Sequence, residues 1–485
     1  MLKILFNLFA LSISSATFSQ NIVGNWEGSL QIQGNELPIV FHISKDVSGK
    51  YSASFDSPKQ KTYNNPCSDI IAKDDSVILI MNSIKGQYAG RLNDKNTMLT
   101  GTWSQSGYTF PLDMTKTSET VTIKKINRPQ TPKPPYPYKS EDVVYTNADK
   151  SIKFGATFTV PIPDPNVDYF RAPVYPVVLL ISGSGPQDRD ETIFEHKPFA
   201  VMADHLTREG IAVLRVDDRG VAKTSGNFNK STTADFANDV EAGISYLKTR
   251  ADVDTNGIGL IGHSEGGLIA PMVASKRKDV RFIVLLAGPA LPILDMMEQQ
   301  SADVMASVGV AADDVKSYRP LYRNIVTAII KAKDSASASQ NAISVFKKWQ
   351  IGKSASTIKN TTGVIDEKTM INFTNAFIKD LSGPWFPYFI SINPSEYLSK
   401  VNCPVLALNG EKDIQVAAKE NLAAIENALK KNKNKNFKTI ELPGLNHLFQ
   451  HCTKCTVEEY EELEESFDTE TLKIISNWIK TEAVK

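Results

Sequence analysis

Ile258-Gly259-Leu260-Ile261-Gly262-His263-Ser264-Glu265-Gly266-Gly267-Leu268-Ile269-Ala270 is the stretch from which the fold is read. An apolar run of strand type enters a G-x-S-x-G pentapeptide, and a helix-like run leaves it. That order is the signature of a nucleophile elbow, a tight strand-to-helix turn that lifts a serine hydroxyl clear of a sheet. Side chains two residues either side of the serine would collide there, and glycine at 262 and 266 removes them. The helix that follows aims its N-terminal amides at the place where an oxyanion would form. Taken alone the pentapeptide is weak evidence, and its strand–turn–helix setting is what gives it weight.

In this setting a catalytic acid and a histidine follow the serine in that order along the chain. Cys403-Pro404-Val405-Leu406-Ala407-Leu408-Asn409-Gly410 reads as a short buried strand ending in a glycine turn, with Glu411-Lys412-Asp413 next. Asp413 is preferred to Glu411 because it lies deeper in the loop, just before a helix; the alternative reading is a helix N-cap. Phe437-Lys438-Thr439-Ile440-Glu441-Leu442 alternates like a last strand, and Pro443-Gly444-Leu445-Asn446-His447 is the turn after it. Of six histidines, His42 falls in an N-terminal strand, His196 and His205 in a helical stretch and His263 inside the elbow. His451 lies beyond the turn, which leaves His447 as the general base. The expected triad is Ser264, Asp413 and His447.

A second oxyanion amide should come from the loop after an earlier central strand. Val177-Val178-Leu179-Leu180-Ile181 is such a strand and Ser182-Gly183-Ser184-Gly185-Pro186 its small-residue exit. The amide of Glu265 is one expected donor and that of Ser184 the other, with Gly185 as the substitute for Ser184. The charged continuation Gln187-Asp188-Arg189-Asp190-Glu191 reads equally as an ion-pair knot supporting this loop or as a solvated face.

Residues 141–482 resemble α/β-hydrolase-fold carboxylesterases, most closely the bacterial EstD-like branch. The resemblance is carried by Gly183-Ser184-Gly185-Pro186 with Asp188-Arg189-Asp190, by Asp218-Arg219-Gly220, and by Gly262-His263-Ser264-Glu265-Gly266-Gly267. Pro384-Trp385-Phe386, Asn409-Gly410-Glu411-Lys412-Asp413 and Leu445-Asn446-His447 extend it. It implies a serine esterase of short acyl chains, acting through an acyl-enzyme on the same three residues without metal or organic cofactor. Relatives among serine peptidases of the prolyl-oligopeptidase type make peptide bonds the alternative substrate. Cys452-Thr453-Lys454-Cys455, beside the histidine loop, departs from the family pattern.

The remaining sequence places this catalytic unit. Residues 1–20 carry one lysine, an apolar run from Ile4 to Ile13 and a small, polar end, the pattern of a secretory signal peptide. The expected location is therefore periplasmic or secreted. With 54 basic and 54 acidic residues the chain offers no electrostatic case for nucleic acid or an anionic membrane. In an oxidising compartment Cys452 and Cys455 would form a disulfide or stay as thiols. Zinc would need further soft ligands, and a redox CxxC would need a thioredoxin-like context.

Residues 21–116 show short, partly alternating strands separated by turns, such as Trp26–Ile32, Ile39–Ile43, Ser76–Ile80 and Gln87–Leu92. They predict a small antiparallel barrel or sandwich of about eight strands. With no acid–base constellation, such a domain would prop the hydrolase or serve self-association or carbohydrate contact. A Pro-rich linker is expected over 117–140 and the hydrolase domain over 141–485, its helical cap at about 290–400. Within the cap, Trp385-Phe386-Pro387-Tyr388-Phe389-Ile390 is either core or the lining of an acyl pocket. The whole reads as an α/β-hydrolase fold, a mainly parallel sheet flanked by helices and carrying a helical cap, preceded by the β domain.

Overall fold

The computed structural model describes residues 21–32, 35–60, 62–105, 108–117, 127–166 and 172–483. The expected signal peptide lies outside the described residues. No helix among them is long and apolar enough to cross a membrane. The chain divides into two compact units, one ending at Lys125 and the other running from Ile126 to Lys485.

The first unit is an antiparallel sheet of ten strands. They are β1 (Gly24–Ile32), β2 (Asn35–Lys45), β3 (Tyr51–Ser57), β4 (Thr62–Pro66), β5 (Asp69–Lys73), β6 (Ser76–Met81), β7 (Gly86–Leu92), β8 (Met98–Gln105), β9 (Tyr108–Pro111) and β10 (Met114–Thr117). The main path runs β4-β3-β2-β1-β10-β8-β7-β6-β5, with β9 paired to β8. Its two ends meet. β4 pairs with β3, the Cys67 amide continues that pairing to the Ala53 carbonyl at 2.9 Å, and the Ser68 amide then donates to Ile80 at 2.6 Å, where β5 joins β6. One bent segment thus bridges both edges, which makes the unit a barrel rather than a sandwich and leaves few free edge groups. Trp26, Phe41, Phe55, Tyr88 and Trp103 fill it, with the Phe41 and Tyr88 rings 5.4 Å apart. The count of about eight strands is corrected to ten. β4 and β5 escape a hydrophobicity reading because their sequences, Thr-Tyr-Asn-Asn-Pro and Asp-Ile-Ile-Ala-Lys, contain no fully buried residue.

The second unit is built on β11 (Tyr138–Thr146), β12 (Lys153–Pro161), β13 (Tyr175–Ile181), β14 (Ala212–Val216), β15 (Val253–His263), β16 (Phe282–Leu286), β17 (Val405–Gly410) and β18 (Phe437–Leu442). Their order is β11-β12-β14-β13-β15-β16-β17-β18. β11 and β12 are antiparallel additions, and every pairing from β14 onward is parallel. Val177, Leu179 and Ile181 of β13 face one core and Val178 and Leu180 the other, the period of two of a strand covered on both faces. Helices α2 (Thr233–Leu247), α3 (Glu265–Ala274) and α11 (Ala418–Lys431) cover the first face, and α1 (Pro198–Arg208) and α13 (Thr469–Trp478) the second.

Between β16 and β17 lie seven helices: α4 (Ile293–Ser307), α5 (Ala312–Ile330), α6 (Ser335–Trp349), α7 (Ala355–Thr362), α8 (Glu367–Leu381), α9 (Trp385–Ile390) and α10 (Ser395–Leu398). Side chains of Asp334, Ser354 and Asp366 cap the first amides of α6, α7 and α8, and Gly363 ends α7 at φ 69°. This is the helical cap. A four-residue α12 (Glu459–Glu462) precedes α13.

The linker expected over 117–140 is shorter at both ends, since Thr117 closes β10 and Tyr138 to Ser140 already pair with Pro161 to Thr159. Its proline content hid the strand onset. Nor is it a free spacer. Arg128 donates to the Phe194 carbonyl at 2.9 Å, and Gln130 accepts the amides of Ser466 at 2.6 Å and Phe467 at 3.0 Å.

Candidate active site

The parallel strands all deliver their C-termini to one edge, where ligand sites of open α/β sheets form. Ser264 follows β15 directly, with φ 53° and ψ −118°, and α3 begins at Glu265. A non-glycine residue in that region stores about 1–3 kcal/mol of backbone strain, held here by the packed strand and helix on either side. The flanking glycines are obligatory. A Cβ on Gly262 would sit 2.0 Å from the Gly266 carbonyl oxygen, and one on Gly266 2.1 Å from that of Ile181.

The loops after β17 and β18 bring Asp413 and His447 together, both buried, with His447 Nδ1 donating to Asp413 Oδ2 at 2.8 Å. The other carboxylate oxygen, Oδ1, accepts the amides of Gln415 at 2.7 Å and Val416 at 2.9 Å. Asp413 thus orients the histidine and satisfies two loop amides, and the alternative reading as a helix N-cap is corrected, since Ala417 holds that position of α11. Glu411 instead faces Lys412 and the Gly444 amide at the surface. Asn446 and Gln450 brace the histidine turn, side chain to side chain at 3.0 Å.

Ser264, His447, Ser184 and Glu265 line one cavity of about 200 Å³. Among the described residues no hydrogen bond uses the Ser184 or Glu265 amide, whereas the Gly183 amide is committed to Glu191 Oε1 at 2.6 Å. Met296, Met297 and Gln300 of α4 and Trp385 and Phe389 of α9 form the opposite wall. Phe389 is also buried, its ring stacked on Trp385 at 5.1 Å, so the aromatic stretch is both core and lining.

A family model described as serine aminopeptidase, S33, matches residues 195–343, which include the elbow. The second unit has the α/β-hydrolase fold, with its parallel sheet, serine elbow and helical cap. Esterase EstD of Thermotoga maritima is 33% identical to this chain over 139 residues, 29% of this chain and 33% of that esterase, so the chain matches about a third of the relative's length. Among solved structures the chain is similar to the Pyrococcus furiosus esterase Pf2001, at 18% identity over 74% of this chain and 98% of that one, with a TM-score of 0.42. It is also similar to the proline iminopeptidase of Mycobacterium smegmatis, at 13% identity over 70% and 99% of the two chains and a TM-score of 0.40.

Two acids, Glu265 and Glu191, are built into the floor of the cavity. Glu265 is buried and accepts from Thr233 Oγ1 at 2.7 Å, Trp385 Nε1 at 2.9 Å and Ser184 Oγ at 2.9 Å. One carboxylate therefore ties the cap, α2 and the small-residue loop to the elbow. Burial raises its pKa against those three donors. Glu191, at φ 51°, accepts the Gly183 amide and His263 Nδ1, the latter at 2.9 Å, while His263 Nε2 reaches the His447 carbonyl at 3.0 Å. Asp218 completes the support, accepting from Ser182 Oγ at 2.8 Å and the Gln187 amide at 2.9 Å, and burial pushes it up to about 7.

The charged run 187–191 is an ion-pair knot rather than a solvated face. Arg189 forks onto Asp217 at 2.9 and 2.6 Å and reaches Asp142 at 3.1 Å, while Asp190 pairs with Arg215. His196, expected in a helix, stands on an isolated bridge with Ile193 just before α1; it is buried against Ser466 and the Tyr460 carbonyl, and burial lowers it to about 4. Cys452 and Cys455 form a disulfide. Its loop folds over Glu459, a buried acid that accepts the amides of Thr453, Lys454 and Cys455.

Proposed function

We propose that the protein is a serine carboxylesterase that cleaves short-acyl esters through Ser264, His447 and Asp413. What carries this reading is a strained strand-to-helix serine sharing one cavity with a buried histidine–aspartate pair. His447 Nδ1 donates to Asp413, so its Nε2 is the free base that takes the Ser264 proton as the hydroxyl attacks the ester carbonyl. The amides of Glu265 and Ser184 hold the oxyanion. The protonated His447 returns its proton to the leaving alcohol, and water activated by the same base releases the acid. The match to part of an esterase supports the ester over other acyl groups.

The family model's description favours amide cleavage as a second reading. Recognition of a peptide N-terminus would call for a free carboxylate facing the cavity. The acids among its described lining residues are engaged, Glu191 with His263 and Glu265 with three donors. Esters therefore stand first. The substrate is a small-molecule ester rather than nucleic acid or membrane, and the signal-like pattern of residues 1–20 supports a periplasmic or secreted location.

Nitrophenyl esters of short and long acyl chains, with aminoacyl nitroanilides beside them, test the proposal on wild type and Ser264→Ala. The expected result is preferred turnover of short esters and a loss of about 10⁴-fold or more in kcat for the variant. Ester turnover surviving in Ser264→Ala would overturn the mechanism, and faster anilide cleavage the substrate class.

A further inference from the structure

His263 is the first variable position of the elbow motif, and its ring is fully engaged. Nδ1 lies 2.9 Å from Glu191 Oε1 and Nε2 lies 3.0 Å from the His447 carbonyl oxygen. A carbonyl cannot donate, so Nε2 carries a proton. Glu191 Oε1 also takes the Gly183 amide at 2.6 Å, so it is an accepting oxygen, and Nδ1 meets it with the second ring proton. A neutral ring would point a lone pair at one of two oxygens, and the ring is buried. One side chain thereby joins three loops: the small-residue loop at Gly183, the elbow, and the turn that carries His447. The junction is tight. A Cβ on Gly183 would come within 3.2 Å of both Glu191 Oε1 and Ser264 Cβ.

We propose that His263, as an imidazolium paired with Glu191, is a positioning residue that sets the His447 turn and the Gly183–Ser184 loop in register with Ser264. The proposal rests on the reading of Ser264 as nucleophile and His447 as its base. The titratable groups facing the ring are Glu191 from the loop after β13 and His447 from the turn after β18, whose ring centroid is 4.8 Å away; Asp413, behind His447, adds its charge. Burial works to lower the His263 pKa, and the two carboxylates together with the bonds to Glu191 and the His447 carbonyl outweigh it, leaving the pKa raised. A raised histidine holds its second proton at low pH and gives it up as pH rises through the folded value. Positioning is therefore complete on the acid side and lost on the alkaline side.

Glu191→Gln separates charge from geometry. Both hydrogen bonds to Glu191 fall on the single oxygen Oε1, and an amide oxygen in its place can accept both. Without the charge, His263 becomes neutral at a lower pH and releases one of its two acceptors. The expected result is a ratio of variant to wild-type kcat that falls about tenfold or more as pH rises across the range of folded stability, with KM changed less than about twofold. A merely structural role would give a ratio independent of pH, and that outcome overturns the proposal. Nitrogen-15 spectra of histidine-labelled Ser264→Ala protein supply a readout that needs no turnover. Two protonated ring nitrogens on His263 at neutral pH, reduced to one by adding Glu191→Gln, are expected; a single protonated nitrogen in the parent overturns the proposal. If wild type cleaves no ester, the functional reading fails while the spectra still decide the state of His263. Matching circular dichroism and thermal transitions establish that Glu191→Gln is folded.

Discussion

On the floor of the cavity the polar side chains are buried and partnered: Asp413 with His447 and two amides, Glu191 with His263 and Gly183, Glu265 with three donors. The cap is assembled otherwise. Its interior is apolar and aromatic, with Phe346, Phe373 and Phe377 in contact; its ion pairs, such as Glu298 with Arg319 and Arg323, involve partly exposed arginines, and its polar wall group Gln300 touches Gln415 only at 3.4 Å. Hydrogen bonds fix direction to within a few tenths of an ångström, whereas apolar packing fixes volume and tolerates exchange of shape. The floor should therefore govern turnover, and the cap should govern which substrate enters.

The largest effect should come from Asp413→Asn. Oδ1 already accepts two backbone amides, so the Asn oxygen will occupy that side and its NH₂ will face His447 Nδ1. The ring then carries its proton on Nε2 and cannot take one from Ser264. A loss of about 10⁴-fold in kcat with little change in KM is expected from the wrong tautomer. Steady-state kinetics against a nitrophenyl ester check it, and a loss below about 100-fold would mean that the acid lies elsewhere.

How far these regions could be read from sequence follows the same division. Gly262, Ser264 and Gly266 were legible because the turn excludes every larger residue at the flanks. Asp413 and His447 were legible from their places after late strands. Ser184 was found as a loop residue, but its hydroxyl bond to Glu265 joins positions 81 residues apart, and no local pattern encodes such a contact. Glu191 is hidden inside a charged run, and His263 reads as part of the elbow; its pairing with a charge 72 residues away is purely tertiary. In the cap the helical pattern is legible, yet such periodicity says which face is apolar and not which neighbour it meets. Trp385 therefore stayed ambiguous between core and lining until the fold set it against Glu265. In the barrel, β4 and β5 lack the alternation that marked their neighbours, although they close the structure.

A smaller effect is expected where cap and floor touch. Trp385→Phe keeps a ring against Phe389 and removes the indole donor to Glu265 Oε1. The carboxylate keeps Thr233 and Ser184, so the loop is loosened rather than released. Loss of one charge-assisted bond supports a drop of about tenfold in kcat for short esters, with KM within about twofold. A change confined to KM would instead place Trp385 among the substrate contacts alone and break the proposed coupling of cap to floor.

The smallest effect should come from the disulfide, although it lies in the segment that follows His447. Closing a loop this short limits the unfolded chain by about 2 kcal/mol in the chain-entropy account, so Cys452→Ser with Cys455→Ser should lower the thermal transition by a few degrees. The native loop has a second restraint, because the Glu459 carboxylate accepts three successive amides, those of Thr453, Lys454 and Cys455. His447 itself is fixed from the other side, by Asp413 at its ring and His263 at its carbonyl. Turnover of the double variant, assayed below its transition, should stay within about twofold of wild type. A loss of tenfold or more would show that the histidine depends on the covalent bridge, and that buried polar partners alone do not set the precision of the floor.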